Sequence, residues 1–244
     1  MVNEIDWAAL DQIEGWMLPD AADLMKRIAS HDVGPGVLEL GVFKGKLLAV
    51  AAALFAGPVV GVDAMWNGLN NPLESADIED VKKLIRNNVA KLAPGVNIEI
   101  VVSDTTLLTP NDISPLSANG FGFISVDAGH DPDPVVHDLG LATELLAPGG
   151  VIFLDDGFNS ACPGVGEGMF RFLSEDRRLK AFATGYNKTL FTDSESHSLW
   201  LSRAYEWVRS GEEPMFERTR AQISANIAAR WAPTLCGSEI VPFV

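Results

Sequence analysis

Asp127 and His130 stand three positions apart, just beyond the apolar run Ile124-Ser125-Val126. A second apolar run, Phe153-Leu154, ends in the adjacent acids Asp155 and Asp156. Both runs read as buried strands, so the acids fall at the carboxyl edge of a parallel sheet, where open α/β folds bind ligands. Carboxylates gathered without a counter-charge repel one another and hold their protons more tightly. A divalent ion with oxygen ligands, Mg²⁺ above all, would relieve that repulsion and acidify a bound hydroxyl. The imidazole of His130 suits general-base work near neutral pH. Two plainer roles stay open. Asp156 could cap the segment after Gly157, as Asp131 or Asp133 could cap a helix near Pro134. His130 could simply hydrogen-bond a carboxylate. Capping accounts for one acid at each strand end, but not for the adjacent pair.

A second constellation lies earlier in the chain. Glu39-Leu40-Gly41-Val42-Phe43-Lys44-Gly45 joins an apolar strand to an apolar helix, and Asp63 closes the next strand. Glycines at such a turn let a ligand approach the backbone, and a helix start offers free amides. An acid in the position of Asp63 can accept hydrogen bonds from ribose hydroxyls. The dinucleotide pattern G-x-G-x-x-G is missing, because Phe43 fills its middle glycine. Nicotinamide chemistry is therefore disfavoured, and an adenosine ligand without a pyrophosphate fits better.

The elements that must carry these residues alternate. Strands are predicted at Val37–Gly41, Val59–Asp63, Ile98–Ser103, Phe121–Asp127 and Val151–Asp155. Helices are predicted at Leu47–Phe55, Ile78–Leu92 and Val135–Leu146, the last stopped by Pro148-Gly149-Gly150. This alternation implies an α/β fold with a mostly parallel sheet covered on both faces. A helix follows Gly166 to about Leu173. Ala181–Gly185, Thr189–Thr192 and Leu199–Ser202 read as β-rich. Met215–Trp231 reads as a helix, followed by the apolar tail Ile240–Val244. Residues 1–31 form a helical N-terminal segment interrupted at Gly15 and Pro19, residues 32–205 the main domain, and 206–244 a C-terminal helical appendage. Trp66 is placed either over a bound base or in the core.

The chain carries 33 acids against 18 Lys and Arg, a net charge of −15, which leaves too little basic surface for nucleic acid. The two cysteines, Cys162 and Cys236, match neither a metal spacing nor a disulfide framework. No apolar run is long enough to cross a bilayer, and the acidic start is unlike a signal peptide. These features predict a cytoplasmic protein that takes a small molecule and binds neither nucleic acid nor membrane.

VLELGVFKG at Val37–Gly45, Asp63, Asp127–His130 and PGGVIFLDD at Pro148–Asp156 together resemble the class I S-adenosylmethionine-dependent methyltransferases. The likeness is to the small-molecule O-methyltransferases of the catechol and antibiotic-sugar types, and it covers residues 15–205. It implies a Rossmann-like, doubly wound sheet of seven strands with helices on both faces. By the same resemblance Glu39, Gly41 and Gly45 would surround the methionine part of S-adenosylmethionine. Asp63 would hold the ribose, and Ser103 and Asp104 would lie near the adenine. Asp127, Asp155 and Asp156 would hold Mg²⁺. Asp127 would also touch the cofactor and join His130 in catalysis. The acceptor would be a small-molecule hydroxyl on a natural-product sugar, phenol or catechol. Relatives of this kind are often homo-oligomers. A metal-independent enzyme with His130 as base, and a module that binds the cofactor without turnover, are the alternatives. Gly15-Trp16 would form part of a lid.

Overall fold

A computed structural model describes residues 4–66, 73–228 and 231–244 of the 244. In chain order the elements are α1 (Trp7–Asp11), α2 (Pro19–Ala29), β1 (Val37–Leu40), α3 (Lys46–Leu54), β2 (Val59–Asp63), α4 (Ser75–Leu92) and β3 (Ile98–Val102). Then come α5 (Pro110–Ile113), β4 (Phe121–Val126), α6 (Pro132–Leu145), β5 (Leu146–Asp155) and α7 (Pro163–Glu175). The chain finishes with β6 (Leu179–Gly185), β7 (Lys188–Asp193), α8 (His197–Ser210), α9 (Pro214–Ala228), β8 (Thr234–Leu235), β9 (Ser238–Glu239) and β10 (Val241–Pro242).

The main sheet has eight strands in the order β10-β6-β7-β5-β4-β1-β2-β3. All neighbours run parallel except β7, which is antiparallel to both β5 and β6. The expected doubly wound sheet is present with one more strand than predicted. The addition is β10, from the apolar tail, which pairs in parallel with β6 through Val241 and Ala183. Helix α8 runs across the boundary drawn at residue 205.

Alternation along the strands assigns side chains to two cores. Val37, Val59 and Phe123 face one cluster with Leu48 of α3, Ile85 of α4 and Trp200 of α8. Leu38, Val60 and Ile124 face the other with Leu139 of α6 and Met169 of α7. Strands buried on both faces cannot alternate polar with apolar residues, which is why β1 and β4 are buried throughout.

Leu199–Ser202, read as β-rich, lies in α8 instead. Trp200, Ala204, Trp207 and Val208 recur at helical spacing and are all buried, so packing on a 3.6-residue period overrode the local β-formers. Strand β5 also starts earlier than predicted, at Leu146, so the Pro148-Gly149-Gly150 stretch lies inside it. Among the described residues, no helix is long and apolar enough to cross a membrane.

Candidate active site

The carboxyl ends of β1, β2, β4 and β5 open into one cavity of about 1580 Å³. Its walls include Glu39, Gly41, Asp63, Asp104, Asp127, His130, Asp155 and Asp156. Gly45 and Ser103 are not on the wall. Gly45 is the left-handed residue that starts α3 and faces Ile85 of α4, while the Ser103 hydroxyl donates to the carbonyl of Asp104.

At the glycine turn, the backbone of β1 passes so close to that of β4 that a Cβ on Gly41 would lie 2.0 Å from the Asp127 carbonyl oxygen. Gly41 also has φ +89°, so no other residue fits there without moving the strand ends. The Asp63 carboxylate organises the loop that follows. Oδ2 accepts from the amides of Val42 (2.9 Å) and Phe43 (2.8 Å), and Oδ1 from that of Met65 (2.8 Å). Asp63 thus locks the turn as well as lining the cavity.

Glu39 is 2% exposed, and its Oε2 atom has no hydrogen-bond partner. Burial pushes its carboxyl well above the usual range, and the nearby Asp127 pushes it further. A buried acceptor with no partner beside a cavity is a place for a ligand's donor or positive charge.

The acid cluster is tied together by a hairpin that the sequence reading did not single out. Tyr186 (φ 54°) and Asn187 (φ 66°) form a two-residue turn with both residues left-handed, the geometry favoured between twisted antiparallel strands. The register sets Lys188 directly opposite Asp155. Lys188 Nζ lies 2.5 Å from Asp155 Oδ2, and the two side chains are 3% and 8% exposed. Asn187 Nδ2 donates to Asp155 Oδ1 (2.7 Å) and Asp156 Oδ1 (2.6 Å), and Asn159 Nδ2 donates to the same Asp156 oxygen (2.6 Å). The Asn187 carbonyl in turn accepts from the Asp156 amide. Two short runs of β-forming residues on either side of the Tyr186-Asn187 pair were the available signal for this hairpin.

His130 is half-exposed at the cavity mouth. Its Nε2 is 3.2 Å from Asp156 Oδ2 and 3.8 Å from Asp127 Oδ1. Burial would raise the Asp156 carboxyl, but hydrogen bonds from Asn159 and Asn187, with His130 close by, bring it below the ordinary value. Asp127 goes the other way: burial, then the neighbouring Asp155, push it well up. Two acids of the cluster are thus shifted in opposite directions, an arrangement typical of acid–base sites.

Mg²⁺ does not fit the three acids as they stand. Asp155 is neutralised by Lys188, and Asp156 is engaged by two amides and His130. Among the described residues, the side chains whose ligand atoms converge within 4.8 Å are His130, Asp156 and Cys162, and Asp127 and Asp155 are outside that group.

Aromatic residues rim the opening. Trp16, 89% exposed, stacks on Phe43 with ring centroids 5.8 Å apart, and Trp66 stands half-exposed on the cavity wall. Six described non-glycine residues have left-handed φ, and five of them line the cavity: Phe43, Met65, Asp156, Tyr186 and Asn187. Backbone strain concentrated in this way marks a functional site.

Residues 38–157 match a family model described as a methyltransferase domain. No curated protein matches the chain. The chain superposes on an O-methyltransferase from Bacillus cereus, solved with S-adenosylhomocysteine, at TM-score 0.55 and 20% identity, covering 75% of this chain and 84% of that one. It superposes on the TDP-rhamnose 3′-O-methyltransferase CalS11 of calicheamicin biosynthesis at 0.54 and 18%, covering 70% and 77%. For the O-methyltransferase TomG from Streptomyces achromogenes, solved with S-adenosylmethionine, the values are 0.51 and 20%, covering 79% and 92%. Residues 38–157 are thus similar to a methyltransferase domain, and the chain shares the doubly wound fold of these O-methyltransferase structures.

Proposed function

We propose that the protein transfers a methyl group from S-adenosylmethionine to a hydroxyl of a small molecule, with His130 as general base. The observation that carries the reading is the placement of His130. It stands at the mouth of the cavity that also contains the glycine turn, 3.2 Å from a carboxylate held ionised by two amides.

The cofactor fits the residues present. Gly41 leaves the backbone bare where a ligand must come close, and the orphaned Oε2 of Glu39 offers an acceptor to a positively charged group. Asp63 holds the loop that would border the ribose, and Asp104 and Trp66 stand on the same wall for the base. When bound, S-adenosylmethionine supplies an electrophilic sulfonium methyl group. The chain aligns the acceptor oxygen and removes its proton, and such alignment can supply much of the rate enhancement. With Nε2–H donating to Asp156, the proton passes to Nδ1 of His130, and Asp156 stabilises the imidazolium that results. No step here requires a divalent ion.

The similar structures are O-methyltransferases, and CalS11 acts on the nucleotide-linked sugar TDP-rhamnose, which supports a hydroxyl acceptor. The rim aromatics Trp16, Phe43 and Trp66 suit a flat or glycosidic face. To test the reading, S-adenosylhomocysteine formation is followed across a panel of sugars, phenols and catechols. His130→Ala is expected to lower kcat by roughly 10²–10⁴. Calorimetric affinity for S-adenosylmethionine should stay within about twofold, because His130 is placed to act on the acceptor. Unchanged turnover in that variant would sink the base assignment.

A further inference from the structure

We infer that Lys188 is the resident cation of the acid cluster, filling by its own ammonium group the electrostatic role of a divalent metal ion. The inference deepens the reading above, in which the edge bearing Asp127, His130 and Asp156 is catalytic.

The argument starts from charge. Glu39, Asp127, Asp155 and Asp156 converge at the ends of β1, β4 and β5. Such a cluster needs compensation from an ion or from a basic side chain. Lys44 also lines the cavity, but its ammonium pairs with Glu14 on the outer rim. Lys188 instead reaches the cluster itself, 2.5 Å from Asp155, with its side chain only 3% exposed.

The placement is built into the fold. The two-residue turn fixes the β6–β7 register, and the β5–β7 ladder pairs Lys188 with Asp155 residue for residue. A slip of one position would turn the ammonium to the opposite face of the sheet. Asn187, one residue earlier, bridges Asp155 and Asp156 with a single amide group. The hairpin tip therefore supplies the positive charge and the donors that a hydrated ion would otherwise provide. Lys188 has its ammonium paired with Asp155. It acts through Asp155 and is a positioning residue.

The test titrates Mn²⁺, which takes the same oxygen ligands as Mg²⁺, into the full-length protein and reads bound ion by electron paramagnetic resonance. No catalytic turnover is needed. Wild type is expected to bind no Mn²⁺ up to about 1 mM, while Lys188→Met binds at least about tenfold more tightly. Adding Asp155→Asn to Lys188→Met should remove the new site. Wild-type turnover, where an acceptor is found, should be unchanged by EDTA. Wild-type Mn²⁺ binding in the micromolar range that Asp155→Asn abolishes would overturn the inference. So would a folded Lys188→Met protein that gains no ion. If that variant does not fold, Lys188→Gln replaces it, and the wild-type titration with Asp155→Asn still decides. Lack of S-adenosylmethionine binding would defeat the proposed function and leave the ion titration as informative as before.

Discussion

Glu39 illustrates how single residues here trade stability for a site. Its carboxyl is buried, lacks a partner on one oxygen, and is held well above its usual range by burial and by Asp127. A raised carboxylate makes its full contribution to stability at low pH, below its unfolded value, and loses it as pH rises through the folded value. Glu39→Gln should therefore raise the melting temperature of the ligand-free protein at pH 8, by a few degrees for each ~1 kcal/mol regained. The advantage should vanish near pH 3, as seen by thermal melts across that range. The same variant should bind S-adenosylmethionine more weakly, because the orphaned acceptor loses its charge. The acid's place in VLELG was readable from sequence. Its isolation was not, because burial and partner geometry are properties of the assembled sheet edge. For Asp127, Asp155 and Asp156, residue type and spacing gave the right edge and the right cavity. Their partner was hidden because Lys188 lies 33 residues beyond Asp155 in the chain, brought back only by an antiparallel ladder.

At the scale of elements, the β6–β7 hairpin carries the most unexpected chemistry. Its I′-type turn, its lysine and its bridging asparagine hold together only in one register. Removing one partner of a buried ion pair leaves the other charged and unsolvated, at a cost of roughly 3–5 kcal/mol. Asp155→Ala is thus expected to destabilise the fold by about that amount in urea unfolding. Near-wild-type stability would show that Lys188 finds other compensation. Strand and helix order up to Asp155 was legible because each parallel strand is a short apolar run bounded by turn residues. The error at Leu199–Ser202 has a matching cause. A Leu-Trp-Leu run looks the same locally in a strand or a buried helix, and only the recurrence at Ala204, Trp207 and Val208 separates them.

Across the whole molecule, the sheet is flanked by two cores and finished at one edge by the chain's own tail. Val241 of β10 is fully buried, and Phe243 packs edge-on against Phe216 of α9, while the Phe243 amide donates to the Thr184 carbonyl (2.7 Å). Next to it, Arg218 and Tyr186 both donate to the Val244 carbonyl. Tyr186 is also a turn residue of the β6–β7 hairpin, so the tail braces the very hairpin that presents Lys188. Val241→Asp is predicted to cost about 3 kcal/mol through a buried unpaired charge. Turnover should fall more steeply with temperature than in wild type, as checked by parallel melting and activity curves. The apolar composition of Ile240–Val244 signalled burial, but the identity of its neighbour depended on a pairing 58 residues away.

The left-handed residues around the cavity have an evolutionary corollary. Phe43, Met65, Asp156, Tyr186 and Asn187 each hold a backbone conformation that glycine would adopt with less strain. Laboratory selection for heat tolerance alone would find glycine permitted at these positions. Selection for turnover would reject it at Asp156 and Asn187, whose side chains build the site. Variants that drift toward glycine there should survive heating and lose catalysis, so the ring of strained residues marks the boundary between what the fold tolerates and what the reaction demands.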